Sequence, residues 1–192
     1  IQGGTAPGDL RFKDLDNNGV INDNDRTYIG NPNPDLIYSM SNRFDWKGFD
    51  LEIYLQGNLG NQVFNANRMT LEGMKVSDNQ SIAVLNRWVG EGTSNNMPRS
   101  IYNDPNKNTR ASNRFVENGS YLRIKNISLG YTLPSSLIRN AYMESARIYF
   151  STQNVFTFTG YSGIDPEVGI NGIDYGAYPL TRTISLGLNI SF

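Results

Sequence analysis

The sequence predicts an all-β protein whose antiparallel strands form part of a transmembrane barrel wall, and three observations predict it. Large apolar residues alternate with small or polar ones, most plainly at the end of the chain, where Ile184, Leu186, Leu188, Ile190 and Phe192 are separated by Ser185, Gly187, Asn189 and Ser191. The alternating runs 36–46, 49–59, 147–158 and 182–192 match the ~9–11 tilted residues that cross a bilayer core, whereas strands of soluble domains run about 5–6 residues. Tyr38, Phe44, Trp46, Phe49, Phe156, Phe158 and Phe192 fall towards the ends of these runs with aliphatics between them, like the aromatic girdles of outer-membrane barrels.

In 36–46, Leu36, Tyr38, Met40, Phe44 and Trp46 share one face, interrupted only by Asn42. In 49–59, Phe49, Leu51, Ile53, Leu55 and Leu59 oppose Asp50, Glu52, Tyr54, Gln56 and Asn58. Lys47-Gly48 between them suits a two-residue hairpin that sets Trp46 opposite Phe49, with Gly48 taking a positive φ. Residues 78–92 predict one short helix, capped by Asp78 or Ser81 and lined by Ile82, Leu85 and Trp88 or Val89. The Asn-rich stretch that follows, broken by Pro98 and Pro105, reads as a long loop. A third strand lies within SYLRIKNISLGYTLP, where the apolar phase changes between Leu122/Ile124 and Ile127/Leu129/Tyr131/Leu133. That slip predicts a β-bulge near Lys125-Asn126, or a strand end buried on both sides; Pro134 ends the run. The fourth strand carries Ile148, Phe150, Phe156 and Phe158 in phase, and the fifth is the terminal run.

Composition excludes several functions. The 17 Lys+Arg nearly balance 18 Asp+Glu, and no basic cluster is interleaved with aromatics, so no nucleic-acid partner is expected. With no Cys and no His, disulfides, thiolate metal sites, the Ser-His pair and most zinc chemistry are ruled out. No run of ~18 apolar residues provides a transmembrane helix, and the first residues have no signal-peptide pattern. Alternation also occurs in soluble antiparallel sheets, so a soluble sandwich is the competing fold.

Five strands spaced ~4.8 Å apart cannot close a wall, and open edges are not tolerated in lipid. On the membrane reading, the expectation is therefore the last part of a larger barrel. The ordered motifs GDLRFKDLDNNGVINDNDRTYIGNPNPDLIY, FDLEIYLQG, RWVGEGTSNNMPR, VENGSYLRIKNISLGYTLP and STQNVFTFTGYSGIDPE, followed by a terminal strand ending in Phe, resemble the carboxy-terminal part of the SusC/RagA family. These are TonB-linked outer-membrane transporters of Bacteroidetes, and the resemblance covers almost the whole chain.

The resemblance implies a large plugged barrel of the kind with about 22 strands, in which 35–192 supplies the last five. It implies import of oligosaccharides or peptides together with a SusD-like lipoprotein that closes over the extracellular mouth. It also implies drive from the TonB complex through an amino-terminal part without counterpart here, and contacts with plug, remaining barrel and outer-membrane lipid. Phe192 resembles the end of the strand read by the barrel-assembly machinery. If Phe192 is periplasmic, Lys47-Gly48 and 134–145 are periplasmic turns, and residues 1–34, 60–119 and 160–180 face outward.

The sharpest local motif is DLDNNGVINDND. Asp14, Asp16, Asn18, Asn22 and Asp25 stand at loop positions one, three, five, nine and twelve, with Gly19 at the sharp turn and the Val20 carbonyl at position seven. A hard cation needs such an oxygen cage, so Ca²⁺ is the expected cofactor, bound structurally by Asp14, Asp16, Asn18, Val20, Asn22 and Asp25. Asp25 in place of Glu makes the loop resemble dockerin-type loops, and no long helix pair flanks it for a sensor switch. The bland alternative is an Asx-rich surface turn without metal.

Asp50 and Glu52, two apart on one strand, lie ~7 Å apart, within the spacing of inverting glycosidases. A strand produces that spacing trivially, so they read as barrel lining, with Arg43, Arg123 and Lys125 balancing them. Asp165 and Glu167 read as loop-folding residues, and Tyr161, Tyr175 and Tyr178 as loop aromatics rather than a defined sugar site. The chain is thus expected to be a transport component and not an enzyme. The alternative is a soluble calcium-stabilised cell-surface β-domain such as a carbohydrate-binding module.

Overall fold

The computed structural model describes residues 4–192, the Ala141 side chain excepted. The strands and α-helical turns in chain order are β1 (Leu36–Trp46), β2 (Phe49–Leu59), β3 (Gln62–Asn65), α1 (Ala66–Leu71), β4 (Val116–Asn118), β5 (Tyr121–Thr132), α2 (Ser135–Ile138), β6 (Ser145–Thr159), β7 (Ile173–Asp174) and β8 (Thr183–Ser191). The chain divides into two compact units.

The unit formed by Pro32–Gln62, Asn118–Glu167 and Ala177–Phe192 holds an antiparallel five-stranded sheet in the order β1-β2-β5-β6-β8. Its register collects the apolar residues on one face. Phe44 pairs with Leu51, Leu51 with Leu129, Leu129 with Phe150, and Phe150 with Leu186. Among the described residues this face lies open: Phe44, Trp46, Ile184, Leu186 and Leu188 are all exposed. An apolar face that spans five strands is far larger than a soluble monomer leaves open to water. The opposite face carries Asp50, Glu52, Gln56, Arg123, Ser128, Arg147, Ser151 and Ser185.

The predicted β-bulge is present. Tyr54 pairs with Asn126 and Leu55 with Ile124, leaving Lys125 as the extra residue. This returns Ile127, Leu129 and Tyr131 to the apolar face. The facing strand is also irregular there, where Asn154 adopts a positive φ of 51°. At the β1–β2 hairpin both Lys47 (φ 47°) and Gly48 (φ 87°) are left-handed, the requirement of a type I′ turn. The Lys47 ammonium lies 5.0 Å from the Trp46 ring centroid, and the Phe49 and Tyr131 rings are 4.4 Å apart. Two glycines admit flat tyrosines. Tyr38 lies across Gly57 and donates to the Tyr121 carbonyl at 3.1 Å, and Tyr149 covers Gly187. Any Cβ at either position would collide with a ring.

The other unit comprises the segments through Asn31, Val63–Glu117 and Val168–Gly176. Its small sheet has the order β4-β3-β7, with β3 and β7 parallel. The predicted helix is a 3₁₀ helix, Ile82–Asn86, capped by the Ser81 hydroxyl accepting from the Ala83 N–H at 3.2 Å. Its buried residue is Val84, packed with Met74 and Met97, while Ile82 and Leu85 are exposed. The tighter 3₁₀ winding changes which residues share a face. The helix α1 was missed, because six residues show no hydrophobic period.

The Asn-rich stretch is folded rather than loose. The Asp104 carboxylate accepts from the N–H groups of Asn108 (2.7 Å) and Thr109 (2.8 Å) and from the Thr109 hydroxyl (2.7 Å). Asn103, Asp104 and Lys107 take positive φ, which Asn and Asp tolerate better than other non-glycine residues. A second polar knot joins α1 to β4. Glu72 accepts from Arg68 and Arg114, each at 2.7 Å, and Arg68 also reaches Glu117 at 3.2 Å.

Candidate functional site: the oxygen-rich loop and the polar face of the sheet

Residues 14–25 form a compact loop organised by its own side chains. Gly19 has a φ of 81°, and its N–H donates to Asp14 Oδ2 at 2.8 Å. The Asp16 carboxylate accepts from the Asn18 N–H at 3.1 Å, and Asn18 Oδ1 accepts from the Val20 N–H at 2.8 Å. Asn22 caps a single 3₁₀ turn, Asp23–Asp25, in a capping box with Asp25. Asp25 accepts from the N–H groups of Leu15 and Asn22, both at 2.7 Å.

One carboxylate oxygen from each of Asp14, Asp16 and Asp25 lies within 4.8 Å of the others. Three of the six expected ligands are thus brought together. Asn18, Val20 and Asn22 are held in the same loop by the bonds above, and the Val20 carbonyl faces the Asn22 amide at 3.5 Å. Among the described residues, no Lys or Arg is ion-paired with the three carboxylates. Backbone N–H donation from Asn22, then from Leu15, holds the Asp25 carboxyl below its ordinary value. The cluster gathers three carboxylates, whose oxygens keep lone pairs beyond those the N–H groups use. An all-oxygen set of this kind fits a hard divalent cation.

The segment leading into the loop is pinned. Arg99 Nε and Nη2 grip both oxygens of Asp9, at 2.9 and 3.0 Å, and Asn108 donates to Asp9 Oδ1 at 2.9 Å. Asn106, fully buried, accepts from the Thr5 hydroxyl and donates to the Leu10 carbonyl. Burial pushes the Asp9 carboxyl up, but the bonds from Arg99, Asn108 and the Ala6 N–H outweigh it, and its pKa lies below the usual 3.8. A depressed folded-state pKa contributes stability that is present above the unfolded value and lost as pH falls through the folded one. Pepsin cleavage within residues 4–12 is expected to accelerate below about pH 4 relative to Asp9→Asn, which should lack that pH-dependent step.

On the polar face, Asp45 and Asp50 are each paired with an arginine. Arg147 Nε donates to Asp50 Oδ1 at 2.9 Å, and Nη2 closes the fork on the other oxygen. Gly130 leaves the space in which this pair lies. Arg43 pairs with Asp45 on its own strand at 3.0 Å. The expectation that Arg43 balances Asp50 is thus met by Arg147 instead, a residue that sequence reasoning passed over because it is 97 positions away. Asp50 is thus committed to a guanidinium. Arg123 binds Asp165 and Glu167, each at 2.6 Å, which makes these acids the loop-folding residues expected. Tyr161 is buried, while Tyr175 and Tyr178 are exposed.

No family model matches the chain. Two curated relatives from Formosa agariphila, TonB-dependent receptors P3 and P26, are 35% and 31% identical over 100% and 96% of the chain. The TonB-dependent receptor SusC of Bacteroides thetaiotaomicron is 28% identical over 94% of it. The chain spans about one-fifth of the length of these relatives (20%, 20% and 17%). The solved RagAB peptide importer in its closed-closed state superposes with a TM-score of 0.74 at 28% identity, over 83% of this chain and 17% of that one. The open-open state gives 0.72 at 27%, over 83% and 17%. These relatives are receptors and importers, not enzymes. The two-faced sheet and these likenesses agree: the chain belongs to the TonB-dependent receptors of the SusC/RagA family, and its five-stranded sheet is wall of an outer-membrane β-barrel.

Proposed function

We propose that the whole protein imports oligosaccharides or peptides across the outer membrane, driven by the TonB complex and working with a SusD-like surface lipoprotein. The observation that carries this reading is the sheet with one face predominantly apolar and the other polar and ion-paired, in a chain similar to SusC and to a peptide importer. In it, 35–192 supplies wall strands facing lipid outside and plug and solute inside. Residues 1–34, 60–119 and 160–180 are outward loops, and Lys47-Gly48 and 134–145 are periplasmic turns. The soluble carbohydrate-binding alternative leaves the apolar face without a covering.

The test uses the full-length receptor purified from outer membranes. A surface lipoprotein should co-purify with it, and uptake of labelled oligosaccharide or peptide pools should disappear when TonB is deleted. A receptor isolated without a lipoprotein, with uptake indifferent to TonB, would overturn the reading.

The loop of Asp14, Asp16, Asn18, Val20, Asn22 and Asp25 would hold Ca²⁺ as a structural clip on the outward loop. The convergence of three carboxylates without a cationic partner supports this. Calorimetric titration of the full-length receptor with Ca²⁺ should give saturable heat that Asp14→Ala abolishes. Equal, negligible heats in both proteins would remove the site.

A further inference from the structure

On the polar face of β5, Arg123 is 1% exposed, although the sheet is seen without the rest of its barrel. Further wall or plug can only bury it more. A guanidinium so deep needs partners for its donors, and each of its three nitrogens has one. Nε donates to the Thr157 hydroxyl at 2.8 Å, Nη2 to Asp165 Oδ1 at 2.6 Å and Nη1 to Glu167 Oε2 at 2.6 Å. The Tyr121 ring stands 5.2 Å from the guanidinium carbon. Asp165 also accepts from the Glu167 N–H at 2.9 Å, so the two acids are presented as one rigid pincer. Gln56 Nε2 completes the outer edge, 3.4 Å from the Tyr121 hydroxyl and 3.5 Å from Glu167 Oε1.

The backbone consequence is larger than the ion pair. Leaving β6 at Thr159, the chain does not continue away along the strand direction. It buries Tyr161 and returns so that Asp165 and Glu167 lie over the lumen-side positions Gln56, Arg123 and Thr157, which are cross-strand partners in one row. We infer that residues 160–167, the first part of the outward loop 160–180, are a strap latched onto the inner wall by Arg123, so that this end of the loop lines the lumen. The strap takes up lumen space beside β5, and separating the charges releases it. The two arms differ: the Asp165 side chain is 16% exposed and that of Glu167 39%, so Asp165 is the main fastening and Glu167 the arm that opens first.

The experiment places a nitroxide spin label at Ser162→Cys, an exposed position, in the full-length receptor in outer membranes. Heat-resistant electrophoretic migration checks that the barrel is assembled. The parent should give an immobilised spectrum. Arg123→Ala and the shape-preserving double variant Asp165→Asn/Glu167→Gln should each lose that component while the barrel stays heat-resistant. Asp165→Asn alone should free the label more than Glu167→Gln alone. Arg123→Lys, which keeps the charge but not the fork, should fall between parent and alanine. An immobilised label in both Arg123→Ala and the double variant, within assembled barrels, would overturn the latch. Failure of both variants to assemble would overturn it too, since the segment would then be part of the wall's fold and not a releasable strap.

Discussion

Leu186→Arg is expected to destabilise the assembled barrel by about 2–4 kcal/mol and to remove its heat-resistant electrophoretic band. Leu186 lies near the middle of β8, opposite Phe150, with 79% of its surface exposed. In water such a change would cost almost nothing, because surface substitutions usually stay within about 0.5 kcal/mol. In a bilayer the guanidinium sits at the depth where charge is most expensive. Ser185→Arg, one residue away, points to the polar face and should leave the band unchanged. Unequal effects at adjacent positions are the signature of a wall with lipid on one side only. Equal, small effects would mean that the apolar face never meets hydrocarbon.

Glu72→Ala is expected to destabilise the unit around α1 by about 3–5 kcal/mol. The Glu72 side chain is 7% exposed and accepts from both Arg68 and Arg114. Removing it leaves Arg68 with Glu117 as its acid partner and leaves Arg114 against the Asn96 carbonyl, the Met97 sulfur and the Phe115 ring. Glu72→Gln, which retains an acceptor without the charge, should lose less. Hydrogen exchange on the receptor would register the change locally, as lost protection in 66–117 with the strands of the main sheet unaffected. Uniform loss across both regions would contradict the division into two units.

The wall strands were legible because strand periodicity is a local property. Alternation placed β1 at 36–46 and β2 at 49–59, and both occupy those bounds. The phase slip located the Lys125 bulge, since one extra residue moves every later side chain to the other face. The oxygen-rich loop was legible for a similar reason: its donors are spaced along twelve consecutive residues, and three carboxylates converge. The short elements were not legible. The helix α1 and the three-stranded sheet have too few residues to show a period, and the predicted face of the 82–86 helix assumed the wrong winding.

By itself the sequence determined which residues form the wall, which of their faces is apolar and which loop can gather oxygen ligands, because each depends on neighbours along the chain. It determined family membership through the order of its motifs, which the relatives bear out. Only the tertiary structure decided which charges meet. Asp50 joins Arg147 across 97 positions, Asp9 joins Arg99 across 90, and Arg123 joins Asp165 across 42. A carboxylate's partner is set by strand register and loop return, and no periodicity within either segment encodes them.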